Sequence, residues 1–138
     1  MSHARVRTLF SAALAEYAEL KGIKVSWDNV KEQFDADDAD HIETHLIPAD
    51  TFTDTLGGDH KAFIGLYQMK IVTKYGTGYL KTEEIIEDLQ NVFKVYKEFT
   101  DTNGFAVQVI SPIKTPEGKQ NASQWAVPAY FEYRADTN

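Results

Sequence analysis

Cysteine is missing from this 138-residue chain, which excludes disulfides, thiolate zinc sites and a Cys nucleophile. Long apolar runs are missing as well. None approaches the roughly 18 residues that a membrane-crossing helix needs, and the stretch Met1 to Phe10 has no uninterrupted apolar core of a signal peptide. Net basicity is absent: 14 Lys and Arg face 21 Asp and Glu, for a formal charge of −7, which argues against a general nucleic-acid binder. Serine is scarce (Ser2, Ser11, Ser26, Ser111 and Ser123), and no Gly-x-Ser-x-Gly element surrounds any of them. These absences weigh against an enzyme.

What is present suits one folded domain. Leu, Ile, Val and Phe make up about a quarter of the residues, above the level at which disorder is the default. A chain of this length buries roughly two thirds of its unfolded surface and needs no staples. The charge is segregated. Residues 28–59 hold ten acids and one base, a segment charge of −9, while the remainder holds thirteen bases and eleven acids, or +2. A solvated loop is the plain explanation; a negative surface facing a particular partner is the functional one.

Periodicity organises the chain. Val6, Leu9, Phe10, Ala13, Leu14 and Tyr17 recur at three- and four-residue steps, which predicts a helix over 4–20, with Ser2 as N-cap and Gly22 as the stop. A short strand from Lys24 to Trp27 follows, then an irregular acidic loop over 31–40. His41 to Ile47 alternates as a strand with Ile42, Thr44 and Leu46 on one side, closed by Pro48. Thr51 to Leu56 reads as another strand or an extended arm before the Gly57-Gly58 turn. Lys61 to Tyr75 is the longest strand, with Phe63, Tyr67, Met69 and Ile71 on one side and Ile64, Leu66 and Val72 on the other. Apolar groups on both sides near its start predict that part of this strand is central and covered on both faces. Gly76-Thr77-Gly78 breaks it. A second helix is expected from Leu80 or Thr82 to Tyr96, with Ile85, Ile86, Leu89, Val92, Phe93 and Tyr96 on its inner face and Lys94 and Lys97 in its last turn. Asp101 to Gly104 reads as a turn, Phe105 to Ile110 as a strand and 111–123 as a loop. Gln124 to Arg134 is the last strand, where Pro128 implies an edge or a bulge. The expected fold is α+β: a mostly antiparallel sheet of five to six strands with two packed helices, in a single domain over residues 1–138.

The constellations that could carry chemistry are weak. His41 and His45 would share a metal on a helix, but four residues along a strand span about 13 Å, so both are expected as exposed strand histidines. From Asp35, a calcium loop would need glycine at the sixth position and glutamate at the twelfth, where the chain has Asp40 and Leu46. Gly76-Thr77-Gly78 lacks the further glycine and the Gly-Lys-Ser/Thr of a phosphate loop. No cofactor is expected.

The order of signatures says more than any one of them. Trp27-Asp28-Asn29, Leu46-Ile47-Pro48-Ala49-Asp50, Leu56-Gly57-Gly58, Gly65-Leu66-Tyr67-Gln68, Gly76-Thr77-Gly78 and Trp125 through Tyr133-Arg134-Ala135-Asp136 follow one another over about 110 residues. In that order the chain resembles the phage tail terminator-like family, similar to lambda-type proteins. The acidic rather than proline-rich loop at 31–40, and Tyr79-Leu80-Lys81 after the second glycine turn, depart from the pattern.

The resemblance implies a structural virion protein that ends polymerisation of the tail tube and offers a face for head–tail joining, located in the virion tail and, during assembly, in the host cytoplasm. Its implied partners are further copies of itself in a hexameric ring, the tail tube protein and the head completion protein. No membrane and no specific nucleic acid are implied; DNA only passes through the ring. No catalytic residues come with it. Phe52 and Leu56 are candidate subunit or tube contacts, and Asp35, Asp37, Asp38 and Asp40 are candidate acids of the ring's lumen. The alternative from another class is a small monomeric or dimeric ligand- or peptide-binding domain without catalysis.

Overall fold

A computed structural model describes residues 3–27, 40–49, 52–53, 61–74, 80–115, 119–121 and 124–137. Among them, the chain runs α1 (His3–Lys21), β1 (Lys24–Ser26), β2 (His41–Pro48), β3 (Phe52–Thr53), β4 (Lys61–Lys74), α2 (Leu80–Val92), β5 (Glu98–Thr100), β6 (Ala106–Val109), β7 (Lys119–Asn121) and β8 (Gln124–Thr137). This is the α+β class expected, with one sheet ordered β1-β2-β4-β8-β6-β5 and two short strands beside it, β3 on β4 and β7 on β8. Every pairing is antiparallel except β1 with β2.

The helix α1 forms where its stripe predicts, burying Val6, Phe10, Leu14 and Tyr17. It stops at Gly22, whose φ of 68° is open to glycine without a Cβ penalty. The Gly22 amide donates to Glu19 O (3.4 Å) and the Ile23 amide to Ala18 O (2.9 Å). This paired closure satisfies two carbonyls the helix end would otherwise leave bare. The proposed N-cap, Ser2, and the turns Gly57-Gly58 and Gly76-Gly78 lie outside the described residues.

β4 and β8 form the spine, paired residue for residue from Lys61↔Thr137 to Lys74↔Gln124. Alternation sends one set of side chains toward the helices, where Tyr67, Met69, Ile71, Phe131 and Tyr133 are buried. Phe10 of α1 enters this set and meets Tyr67, Phe93, Phe99, Phe131 and Tyr133 at ring-centroid distances of 5.1 to 5.8 Å. Edge-on and tilted approaches like these suit the ring quadrupoles. Both helices serve one face of the sheet, so the core is a single helix-on-sheet layer.

Three expectations need correction. The second helix ends at Val92, not Tyr96. The chain there is drawn into the sheet: the Tyr96 amide donates to Val109 O and the Val109 amide to Lys97 O. Tyr96 takes a φ of 68° and lies 70% exposed, so it is not on the buried stripe. Lys97 still serves the helix end, its Nζ donating to Val92 O at 3.2 Å. Second, residues 98–100 and 119–121 are strands that pattern reading left out.

Third, Pro128 neither breaks β8 nor puts it at an edge, since β8 pairs along its length with β4. Tyr130 exchanges both backbone hydrogen bonds with Lys114, away from β4. By the two-residue repeat, the Pro128 nitrogen faces that same way, between this bridge and β7. A missing N–H there costs no ladder bond. β4 is central, between β2 and β8, and part of it is covered on both faces as expected: on the side away from the helices Ala62 and Val72 are buried, while Ile64 and Leu66 are half-buried.

Candidate assembly surfaces

The side chains opposite the helices make the sheet's second face. Cross-strand register puts Ile47, Leu66 and Glu132 in one row, and the Ile110 amide donates to Glu132 O, extending that row onto the β6 side. His45, Gln68 and Tyr130 make the next row, and Glu43, Lys70 and Pro128 the one after. At the two ends of the first row, Ile47 is 45% and Ile110 36% exposed. Toward the ends of the face His41, Ala62 and Val72 are buried, and between them Ile64 and Leu66 are half-buried. Ion pairs cross it: Glu43 with Lys70 (3.4 Å), Lys114 with Glu132 (3.9 Å) and Arg134 with Asp136 (2.9 Å). The face is therefore mixed, with the polar Gln68, Glu132 and Arg134 between its apolar residues.

His41 sits at one end of the same face and corrects the expectation of two exposed histidines. It is 1% exposed, and its Nε2 lies 2.9 Å from Glu43 Oε2, while His45 is exposed. Burial acts to raise the Glu43 carboxyl. The hydrogen bond to His41 and the nearby Lys70 ammonium outweigh it and hold Glu43 below the usual carboxylate range. Among the described residues no group of three or more His, Asp or Glu is placed to hold a metal ion.

A second set of residues anchors α1. The Tyr133 ring lies over Gly65, its cross-strand partner. A Cβ at position 65 would fall 2.6 Å from Tyr133 Oη and 2.6 Å from Ile47 O. Gly65, read in the sequence as part of Gly-x-Tyr-Gln, is therefore required by a close approach. Tyr133 Oη shares a 2.6 Å hydrogen bond with His3 Nδ1, and His3 stands edge-on to Phe63. Burial pushes the Tyr133 hydroxyl up to about 12; burial and then Arg7 hold His3 below its ordinary value. Lower on the helix, Arg5 donates to Asp101 Oδ2 from Nε and Nη2, at 3.0 and 2.6 Å. Oδ1 of Asp101 accepts from the Asn103 and Phe105 amides, fixing the 101–104 turn. These contacts hold the N-terminal turn of α1 to β8 and to the turn after β5.

Two clefts flank the helix pair. One, of about 330 Å³, is lined by Tyr17, Lys21, Asp40, Lys81 and Asp88 among others. Four of its charges are already matched, Lys81 to Asp40 at 2.5 Å and Lys21 to Asp88 at 3.8 Å, with the Tyr17 hydroxyl donating to Asp88 at 2.9 Å. The other, of about 350 Å³, lies between Ala13, Leu20 and Val92. Neither converges polar groups on a point, as a small-molecule site does.

Of the four acids singled out in the sequence, Asp40 is described, half-buried and paired with Lys81; Asp35, Asp37 and Asp38 lie outside the described residues, as does Leu56. The backbone of Phe52 pairs with Ala62 on β4. Alternation alone did not reveal the open sheet face as a site. The signal was there in Ile47, Ile64 and Leu66, three apolar residues on the side away from the helices.

A family model described as phage tail terminator protein matches residues 5–133. No curated protein matches the chain. Eighteen chains of solved structures do. One of them has 26% identity and a TM-score of 0.81, covering 98% of this chain and 96% of its own; its name carries no word of function.

Proposed function

The chain belongs to the phage tail terminator family, and from that premise we propose that it is the non-enzymatic subunit of a ring that caps the tail tube, ends its polymerisation and offers a face for head–tail joining. The family match across residues 5–133 carries the reading, and membership places the protein among structural components of the phage tail. A domain with helices on one side and an open sheet on the other presents two unlike surfaces. Unlike surfaces make heterologous contacts, and heterologous contacts with a closed rotation make rings. A hexamer is the copy number proposed, with the tail tube protein and the head completion protein as its neighbours. The site of action is the virion tail, after assembly in the host cytoplasm.

Two finer features belong to this reading. Phe52 and Leu56 stand in a β-prone segment suited to adding a strand or arm to a neighbour or to the tube. The acids at 35, 37, 38 and 40 are proposed to face the lumen. A basic lumen would hold DNA through counterion release, whereas carboxylates repel phosphates over roughly 8 Å at physiological ionic strength. Lys81 offsets Asp40, so Asp35, Asp37 and Asp38 supply most of that repulsion. Lysine at all four positions should leave tails complete but slow DNA ejection; unchanged ejection from normal tails removes the lumen role.

The reading as a whole is tested by mixing the purified protein with tail tubes of the same phage. Capture at tube ends, seen by electron microscopy and pull-down, is expected. Failure to bind tubes would overturn it.

A further inference from the structure

Just past α2 the chain makes an exposed knob. Residues 94–98 are all exposed, Tyr96 at 70% and Val95 at 36%. Its backbone is fixed: the Tyr96 amide donates to Val109 O at 2.6 Å, Gln108 Nε2 to Tyr96 O at 3.1 Å and the Lys97 amide to Lys94 O at 3.0 Å. These bonds keep Tyr96 at a φ of 68°, a region that a Cβ disfavours. Nothing inside the chain uses its side chain, whose ring and hydroxyl have no partner among the described residues. An aromatic held by its backbone and presented to solvent is the kind of side chain that anchors interfaces. Beside it, Lys94 has no ion-pair partner among the described residues, whereas Lys97 is engaged by Val92 O and the Phe99 ring. The cleft of about 330 Å³ lies at the other end of α2. Gly22, Ile23 and Ile85 are its apolar lining, and Glu84 lines it as a carboxylate without an ion-pair partner among the described residues. Leu80, one turn before Glu84 and on the same side of the helix, is 78% exposed. Glu83 and Glu87 are exposed and equally unpaired. A cavity of roughly 150 Å³ takes a benzene ring, so the cleft has room for a tyrosine ring.

We propose that Tyr96 of one copy enters this cleft on a second copy, so that neighbouring subunits of the ring meet knob-in-cleft. The tyrosine ring stands against Gly22, Ile23 and Ile85 of the second copy, Val95 meets its Leu80, and Lys94 meets its Glu84. The charges match in sign: the knob carries Lys94 and Lys97 against Glu98, and the rim of the cleft carries Glu83, Glu84 and Glu87. Neither Lys94 nor any of the three rim carboxylates has to leave a pair within its own chain. Knob and cleft sit at opposite ends of α2. The ten residues from Glu84 to Lys94 span on the order of 15 Å along the helix axis, so a knob does not reach its own cleft. A contact between unlike patches is head-to-tail and continues round a ring. It is also small. One aromatic side chain buries about 150–250 Å², against about 800 Å² per partner in a standard stable interface. The isolated protein is therefore expected to stay monomeric in dilute solution and to close this contact only on a tube end.

This inference rests on the ring reading above, and the test separates the two. The chain has no cysteine, so Glu84→Cys with Lys94→Cys introduces a single pair. Within one subunit the two positions are too far apart for a disulfide, which needs Cα atoms about 4.4–6.8 Å from each other. On tail tubes capped by the double variant, mild oxidation should link copies into a ladder that runs beyond the dimer, and neither single variant should give one. Capped tubes with no ladder, with a ladder that stops at the dimer, or with a link to the tube protein overturn the contact and leave the capping role standing. Wild-type protein that does not cap tubes overturns both. If the cysteine variant does not cap, two comparisons decide. Tyr96→Gly suits the φ of 68° and should keep the fold, yet reduce capping by about tenfold or more; capping at the wild-type level counts against the contact. Lys94→Glu should reduce capping by about threefold or more, and adding Glu84→Lys should restore most of it; no restoration counts against a contact between copies.

Discussion

Gly65→Ala is the sharpest perturbation of the fold. The added methyl would fall 2.6 Å from Tyr133 Oη, 2.9 Å from Tyr133 Cζ and 2.6 Å from Ile47 O, where apolar atoms rest at about 3.5–4.0 Å. The Tyr133 ring is fully buried and cannot swing to solvent without leaving the core. The Ile47 carbonyl belongs to β2 and is held by the β2–β4 ladder. Relief must therefore come from shifting the ring and opening the ladder, and forced overpacking of this kind costs about 1–3 kcal/mol. A displaced ring also loses its hydrogen bond to His3, worth about 0.5–1.5 kcal/mol. The sum is about 2–4 kcal/mol. With about 2.1 cal/mol/K of unfolding entropy per residue, a chain of 138 residues should lose about 7–14 °C in Tm. Urea denaturation and calorimetry read both numbers. Tyr133→Phe alone should cost about 1 kcal/mol, the lost hydrogen bond. In the Gly65→Ala background it should cost little more, because the same bond is already gone, so the two changes should be non-additive by about 1 kcal/mol. A Gly65→Ala protein within 0.5 kcal/mol of wild type, or strict additivity with Tyr133→Phe, refutes the reasoning.

Leu89 is fully buried, so Leu89→Ala should cost about 2–5 kcal/mol in denaturant titrations. Tyr96, at a φ of 68°, should tolerate Gly within about 1 kcal/mol, whereas Val, branched at Cβ, should cost more than that; equal stabilities for the two variants would deny that backbone constraint. The pH profile should fall in two stages on acidification. His3 is held below its ordinary value by burial and Arg7, so the unfolded chain takes up a proton first and stability drops as pH falls below the ordinary histidine range. Glu43, whose carboxyl is held down, adds a second loss at lower pH, as the solution crosses from the ordinary carboxylate value to its folded one. His3→Gln should remove the first stage from urea midpoints measured against pH and leave the second.

Much of the fold was legible because two periodicities dominate it. The three-and-four spacing of Val6, Phe10, Leu14 and Tyr17 and the alternation through Tyr67, Met69 and Ile71 each describe a buried surface, and both surfaces are buried as read. Val6, Leu9, Phe10, Leu14, Ile86, Leu89, Phe93, Val107, Val109 and Phe131 all join the core or pack against it. Less was legible where a segment is short or where a long-range partner decides. β5 carries one inward apolar residue, Phe99, too few to show a period, and its pairing with β6 is what makes it a strand. The same pairing ends α2 early, against the helical spacing of Tyr96. Pro128 looked like an edge signal because a sequence does not say which side of a strand its missing N–H faces. For the site, alternation showed apolar groups on both sides of β4, but how much lies over them is a tertiary property, and the structure leaves Ile64 and Leu66 only half-covered. His41 shows the converse: strand parity places it beside Glu43 and His45, and only tertiary packing buries it. Charge segregation was plain in the sequence, yet Asp40 proves to be paired with Lys81 across the gap between β2 and α2.

Whether this phage tail protein caps the tube and ends its growth is decided by assembling tails with and without it and measuring their lengths by electron microscopy. Tails of one length, each with a ring of density at the head-proximal end, are expected when the protein is present, and overlong, uncapped tubes when it is withheld. Tubes of the same length distribution in both preparations, with no added density at either end, would contradict that role.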